Sequence, residues 1–457
     1  MIKLEWGIVG VILFVHSSGS IAQQQAALPP LRPDDAITIA VENHPILQAT
    51  KHEIEAAEAD QRLAKTGHLP RIDFRENIVR SDNPVFVFGS KLLQGRFGME
   101  DFALDALNEP DALTNYATQL TLRQSVWSGG RTRLGSRIAG SGIDAAEQSQ
   151  LRTADEIAFG ALRAFWGLVI AEEILEVARD ADEAALANLD LASELVDAGV
   201  AIPSDELSAR VRRAEVEAMR IRAEQDLVVA EAALLQALGL ESGGPIELVP
   251  PEGIAEAGEN LEARLERAEA KRDDLRALEH RIRQAELGVK LARRHNLVDL
   301  GVTASYEWNG DTLLAADGRN WAAGIGLRVS VFDGRESAAR VARSRADTSR
   351  LIAFRDALRQ RIRLEVRAAW AELESATGQF HAASTALEAS REALRIVRDR
   401  YEEGLALIVE LLSAEAAYTR AQAELVASRG KVWLASAGLD LASGHPLRDQ
   451  VGTPGGK

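Results

Sequence analysis

The feature that most constrains this chain is that it contains itself twice. Leu122-Arg-Gln-Ser-Val-Trp-Ser-Gly129 returns as Leu327-Arg-Val-Ser-Val-Phe-Asp-Gly334, and Ala198-Gly199-Val200 returns as Glu403-Gly404-Leu405. Both matches have an offset of 205 residues. Further upstream, the stretch starting at Pro45 parallels the stretch starting at Asp273, now at an offset of 228. The first half therefore carries 23 extra residues between Leu69 and Trp127, and each half reads as helix, strand, loop, strand, very long helix, turn, shorter helix.

Periodicity identifies the long helices. Val366, Leu373, Phe380, Leu387, Leu394 and Tyr401 fall seven apart, and Ala369, Ala376, Ala383, Ser390 and Val397 follow the first five by three. This is an a/d seam with mostly small d residues, which lets helices approach closely. No proline lies between Pro203 and Pro245 or between Pro251 and Pro446. A helix of about 70 residues would be roughly 105 Å long, far beyond ordinary globular helices.

The strands follow a different period. Val298, Leu300, Val302, Ala304, Tyr306 and Trp308 alternate with Asp299, Gly301, Thr303, Ser305 and Glu307. Ile325, Leu327, Val329 and Val331 alternate with Gly324, Gly326, Arg328 and Ser330. Ile72, Phe74 and Ile78, then Leu120, Leu122 and Val126, repeat the pattern in the first half. One greasy and one wet face, with Trp127, Trp308, Trp321 and Phe332 at strand ends, suits membrane strands under aromatic girdles. Four strands cannot close a barrel. Three chains would supply twelve, an even number able to close around water, so the sequence demands oligomerisation without itself choosing three.

Composition narrows the function. With 69 acidic against 53 basic residues and a net charge of −16, a nucleic-acid surface is excluded, and any solute preference leans to cations. There is no cysteine, hence no disulfide, zinc–thiolate site, thiol nucleophile or lipidated cysteine. Lys3, the apolar run Ile8 to Val15 and Ser20-Ile21-Ala22 form a secretion signal with a small-x-small cleavage site. No nucleophile elbow, phosphate loop or HExxH is present, and His44 and His52 are not at a helical metal spacing, so neither enzyme, cofactor nor metal is expected.

The duplicated junctions Trp127-Ser-Gly-Gly-Arg131 and Phe332-Asp-Gly-Arg335, the turn from Tyr401 to Ala414, and the Ala421-Gln422 pair resemble the outer membrane efflux protein family, the TolC-like channel tunnels. The resemblance runs from about Asp34 to Leu441. It implies a fold that is mainly α with a small transmembrane β-barrel: an internally duplicated protomer of long antiparallel coiled-coil helices plus four strands. A homotrimer would close a 12-stranded barrel in outer-membrane lipid and an α-helical barrel projecting into the periplasm. The implied function is the exit duct of a tripartite efflux or type I secretion system. Its partners would be a periplasmic adaptor (membrane fusion protein) and an inner-membrane pump of RND or ABC type.

On this frame residues 1–22 are the signal peptide, 34–238 the first repeat, 239–260 a linker in an equatorial belt, 261–441 the second repeat and 442–457 a C-terminal tail, with Gly438 ending the last helix. Strands are expected at about 70–80, 117–127, 298–308 and 321–332. Helices are expected at about 131–198, 204–238, 335–403 and 408–438. Residues 81–116 form a long external loop, which the phenylalanines at 86, 88, 97 and 102 would pack. The resemblance further places Asp205 and Glu410 in acidic rings at a periplasmic gate, with Tyr401 helping to hold it. It makes Gly199, Val200, Ala201, Gly404, Leu405 and Ala406 the turns on which the adaptor docks. Ala406 stands where an arginine can lock the gate, and Ser413 where a second acid can sit. From the residues alone, Asp205 also suits a helix first turn, Gly199 and Gly404 suit helix C′ positions, and Tyr401 suits the heptad seam. A periplasmic adaptor or a structural coiled coil is the competing reading.

Overall fold

The structure is a computed structural model and describes residues 30–449 apart from 245, 256–257 and 315–316. The expected signal peptide and the last residues of the expected tail lie outside these. In the first half, α1 (Pro33–Asn43), α2 (Pro45–Lys65) and β1 (Arg71–Ser81) lead through α3 (Pro84–Leu93) and α4 (Leu104–Asn108) to β2 (Leu113–Trp127), α5 (Arg131–Asp197) and α6 (Pro203–Leu238). The second half runs α7 (Leu261–Lys271), α8 (Asp273–Arg293), β3 (Asp299–Gly310), β4 (Gly318–Arg328), α9 (Glu336–Glu402) and α10 (Ile408–Ala442). α5 and α9 are 67 residues each, and α2 and α8 are 21 each. The duplication thus survives as equal lengths, and the extra chain of the first half forms α3 and α4.

Local chemistry sets the boundaries. Proline opens α1, α2 and α6 at the first turn, where its missing N–H costs nothing. Asn260 caps α7 by accepting from the Ala263 amide at 2.9 Å. Both strand-to-helix junctions pass through two consecutive left-handed residues, Gly129-Gly130 and Gly334-Arg335. Arg335 tolerates that conformation because the Asp333 carboxylate accepts from the amides of Arg335 (3.0 Å) and Ser337 (2.8 Å). Ser337, through its side chain and then its amide, holds the Asp333 carboxyl down at about 2, with Asn296 and the Arg335 amide contributing.

The heptad seam of α9 faces α10. Val366, Leu373 and Ala376 pack on Val432, Ala435 and Leu439. Near the far end, Leu394 and Tyr401 pack on Ile408 and Leu411. α6 lies along α5 in the same way, and α5 also meets α10, so the lower half is a four-helix wall ordered α6–α5–α10–α9. Above it the order is α2–α5–α8–α9. The outer members keep exposed apolar side chains, among them Leu207, Val211 and Val228 on α6 and Leu364 on α9.

The four strands form one antiparallel sheet in the order β1-β2-β3-β4, with both edges unpaired among the described residues. The register sorts the faces across all four. Phe74, Leu120, Tyr306 and Trp321 share one row, and Ile72, Leu122, Ala304 and Ala323 the next. Arg71, Arg123, Thr303 and Gly324 share a row of the opposite face. A bulge between Ser125 and Trp127 sets Trp127 opposite Leu300, moving it to the apolar face against strict alternation.

Several boundaries differ from expectation. β4 covers Gly318–Arg328, so Val331 and Phe332 lie past its end, both exposed. α10 runs through Gly438, where an added Cβ would make only ordinary contact with Phe159, and continues to Ala442. The beginning of the expected tail is packed: Leu447 is buried, and Arg448 bridges Asp155 of α5 (2.5 Å) and Asp273 of α8 (2.9 Å). Beside it Arg272 bonds Asp274, Glu365 and the Ala442 carbonyl. This equatorial layer is held by charge as well as apolar contact, which hydropathy could not reveal.

Candidate functional site

The helices end together in two turns at the tip opposite the sheet. α5 stops with the Gly199 N–H on the Val196 carbonyl (2.9 Å) and the Val200 N–H on the Leu195 carbonyl (2.9 Å). α9 stops with the Gly404 N–H on Tyr401 (3.0 Å) and the Leu405 N–H on Arg400 (2.8 Å). These are two copies of one Schellman turn. The glycines sit at φ 72° and 71°, which a side chain disfavours, although a Cβ at either would meet nothing within 4 Å. Ala201 also donates to Leu195 (3.0 Å), and the Arg400 guanidinium donates to the Leu405 carbonyl (3.1 Å). Val200 is 74% and Leu405 64% exposed, with Ile202, Leu407 and Val409 exposed beside them, so the paired turns present an apolar crown.

Asp205 and Glu410 occupy the same place in the two repeats, the first turns of α6 and α10. Their amides bond the carbonyls of Ile202 (2.9 Å) and Leu407 (3.0 Å). A carboxylate there complements the helix dipole. The structure brings Asp205 and Tyr401 into electrostatic contact. Tyr401 is 8% exposed, its Oη has no hydrogen-bond partner among the described residues, and burial, then the Asp205 charge, pushes the phenol above its usual range. Tyr401 therefore remains protonated near neutral pH. Glu410 stays exposed, and its carboxylate makes no bond or ion pair among the described residues. Ala406 is half-buried in the cluster around Tyr401, and the Ser413 hydroxyl bonds back to the Val409 carbonyl (2.6 Å).

Sequence reasoning missed two polar cross-links above the tip. Glu415 of α10 is buried and accepts from Asn188 of α5 (2.5 Å) and Arg398 of α9 (3.2 Å), tying three helices together. Asp182 of α5 pairs with Arg213 and Arg220 of α6. The 205-residue offset holds a signal for the second: the matching residues are Leu387, Tyr418 and Leu425, so charge in one repeat replaces grease in the other. Among the described residues no group of three or more His, Cys, Asp or Glu is arranged to hold a metal, and no helix is long and apolar enough to cross a membrane.

The outer membrane efflux protein family matches residues 36–240 and 265–445. The chain is 22% identical to the outer membrane efflux protein BepC of Brucella suis over 439 residues, 95% of this chain and 90% of that one. It is 25% identical to the alkaline protease secretion protein AprF of Pseudomonas aeruginosa, covering 86% of this chain and 80% of AprF. Among solved structures, a membrane protein from Pseudomonas aeruginosa superposes with a TM-score of 0.75 at 20% identity, covering 90% of this chain and 93% of that chain.

Proposed function

The chain belongs to the outer membrane efflux protein family, and on that premise we propose that three copies form the exit duct of a tripartite export system, a passive conduit from the periplasm to the exterior. Family and fold are those of outer-membrane channels for efflux or secretion rather than of enzymes, which sets aside the adaptor and structural coiled-coil readings. The observation that carries the proposal is the open edge on both sides of every layer. Among the described residues β1 and β4 lack outer partners, and α6 and α9 expose apolar side chains where the helical wall stops. Threefold repetition closes the sheet into twelve strands and the helices into a barrel. The apolar sheet face then meets lipid and the polar face water.

At the tip, three copies each of Asp205 and Glu410 ring the entrance, and like-charge repulsion makes that ring a cation site. Tyr401, packed on Ile408 and Leu411 beside Asp205, helps to hold the gate. With alanine at 406, the Asn188–Glu415–Arg398 cross-link is the contact that holds the closed wall. The apolar turns Gly199–Ala201 and Gly404–Ala406 receive the adaptor, driven by an inner-membrane pump. Unboiled gels and planar-bilayer recording of the detergent-extracted protein test this. A trimer with small, steady conductance supports the duct, and soluble, non-conducting material refutes it. Glu410→Ala should raise conductance or weaken divalent-cation block; no change in either removes Glu410 from the gate.

A further inference from the structure

The polar face of the sheet carries a charge pattern opposite to that of the chain as a whole. Its lower rows, next to the helices, hold Arg71, Arg123 and Arg328 with Asp73 and Asp299, and Arg131 reaches in from the start of α5. Asp73 is taken by Arg123 (3.3 Å) and Asp299 by Arg131 (2.6 Å). Arg71 and Arg328 make no ion pair among the described residues, and both are exposed. A chain with net charge −16 thus places two uncompensated guanidiniums on one short stretch of one face. They do not sit on a flat surface. Gly301 and Gly326 pair with each other between the row of Arg71 and that of Arg328, so missing side chains leave a floor between the arginines. The result is a groove of about 690 Å³, lined by Arg71, Asp73, Arg123, Asp299 and Arg328 among others.

We propose that this groove is a binding site for small multivalent oxyanions, repeated three times around the base of the barrel lumen. The inference rests on the duct reading only for its lumenal position; the groove itself lies within one chain. Guanidinium forks match phosphate and carboxylate oxygens in pairs. Inside a narrow lumen with low-dielectric walls, their fields are focused rather than screened. The duct is then bipolar: an acidic entrance at the helical tip and a basic belt where helices give way to strands. Multivalent anions arriving from outside lodge in the belt and obstruct current.

The test records single channels of the full-length protein with inorganic tripolyphosphate added to the loop side. Citrate is added separately as the carboxylate arm. Reversible block is expected, with a half-blocking concentration that rises at least about tenfold in Arg71→Gln/Arg328→Gln and weakens with salt. Arg328→Lys in the Arg71-intact protein should keep part of the block, because the charge remains while the paired donor fork is lost. Block by tripolyphosphate alone identifies a phosphate site, and block by both a general oxyanion site. Absence of block, or block unchanged in the double variant, overturns the proposal. Should the protein fail to conduct, the duct reading fails instead. Equilibrium titration of the detergent-solubilised protein with tripolyphosphate then decides the groove: binding abolished by the double variant supports it, and no such binding overturns it.

Discussion

Arg335 and Gly130 stand at the same point of the two repeats, and both are left-handed. Glycine adopts that conformation freely, whereas arginine needs the Asp333 carboxylate to gather the amides behind it. The Ser337 side chain and those amide bonds lower the folded-state pKa of Asp333 to about 2. Their contribution is therefore present above the unfolded carboxylate value of about 4 and is lost as pH falls toward 2. Asp333→Asn should flatten this part of the acid limb when melting is followed against pH. The tip glycines are the simpler case. Gly404→Ala or Gly199→Ala should cost about 1 kcal/mol from φ alone, read as a lower melting temperature without loss of secondary structure. A larger loss would mean that the turns pack against something in the assembled molecule, since the space around each is open within one chain.

Among the elements, the equatorial layer has most to lose. Arg448 joins α5 of the first repeat to α8 of the second through two buried carboxylates, and burial raises the Asp155 carboxyl despite the bonds Arg448 makes to it. Removing the guanidinium strands both acids. Arg448→Ala should destabilise by about 3 kcal/mol in denaturant titration, whereas Arg448→Lys should recover part of that. The α5–α6 pair offers a contrast. Asp182, Arg213 and Arg220 fill positions that α9–α10 gives to Leu387, Tyr418 and Leu425. Replacing all three residues of the charged set with their counterparts should leave stability unchanged or raise it, because well-packed side chains replace partly buried ions at little cost. Asp182→Leu alone, leaving Arg213 and Arg220 only Glu217 and Glu224 of their own helix, should lower it.

For the whole molecule, the face assignment decides between lipid and lumen at every strand residue. Ala304 and Thr303 are neighbours in β3 but lie on opposite faces, in rows with Ile72 and with Arg71 respectively. Ala304→Arg should cost about 2–4 kcal/mol of membrane-folded stability, whereas Thr303→Arg should be tolerated and add to the basic belt. Folding into bilayers, scored by unboiled-gel mobility, separates the two; equal defects would invalidate the sidedness. The sheet also revises the solute preference drawn from net charge. The −16 is a property of the whole chain, while in the proposed duct a solute would meet particular residues: Asp205 and Glu410 at the helical tip, Arg71 and Arg328 where helices give way to strands.

What the sequence determined by itself was whatever repeats locally. The offsets of 205 and 228, the heptads of α9 and the alternation of β3 are periodic statements, and periodicity survives folding because helices and strands are periodic objects. The mainly helical fold with four membrane strands was therefore legible, as were the turn glycines and the first-turn acids. The bulge that turns Trp127 outward was not, because one skipped residue reverses the face without altering composition. Nor were Arg448 on Asp155 and Asp273, Glu415 on Asn188 and Arg398, or two bare arginines over a glycine floor. Each joins residues from separate elements, and only tertiary packing fixes which charges meet and which are left without a partner.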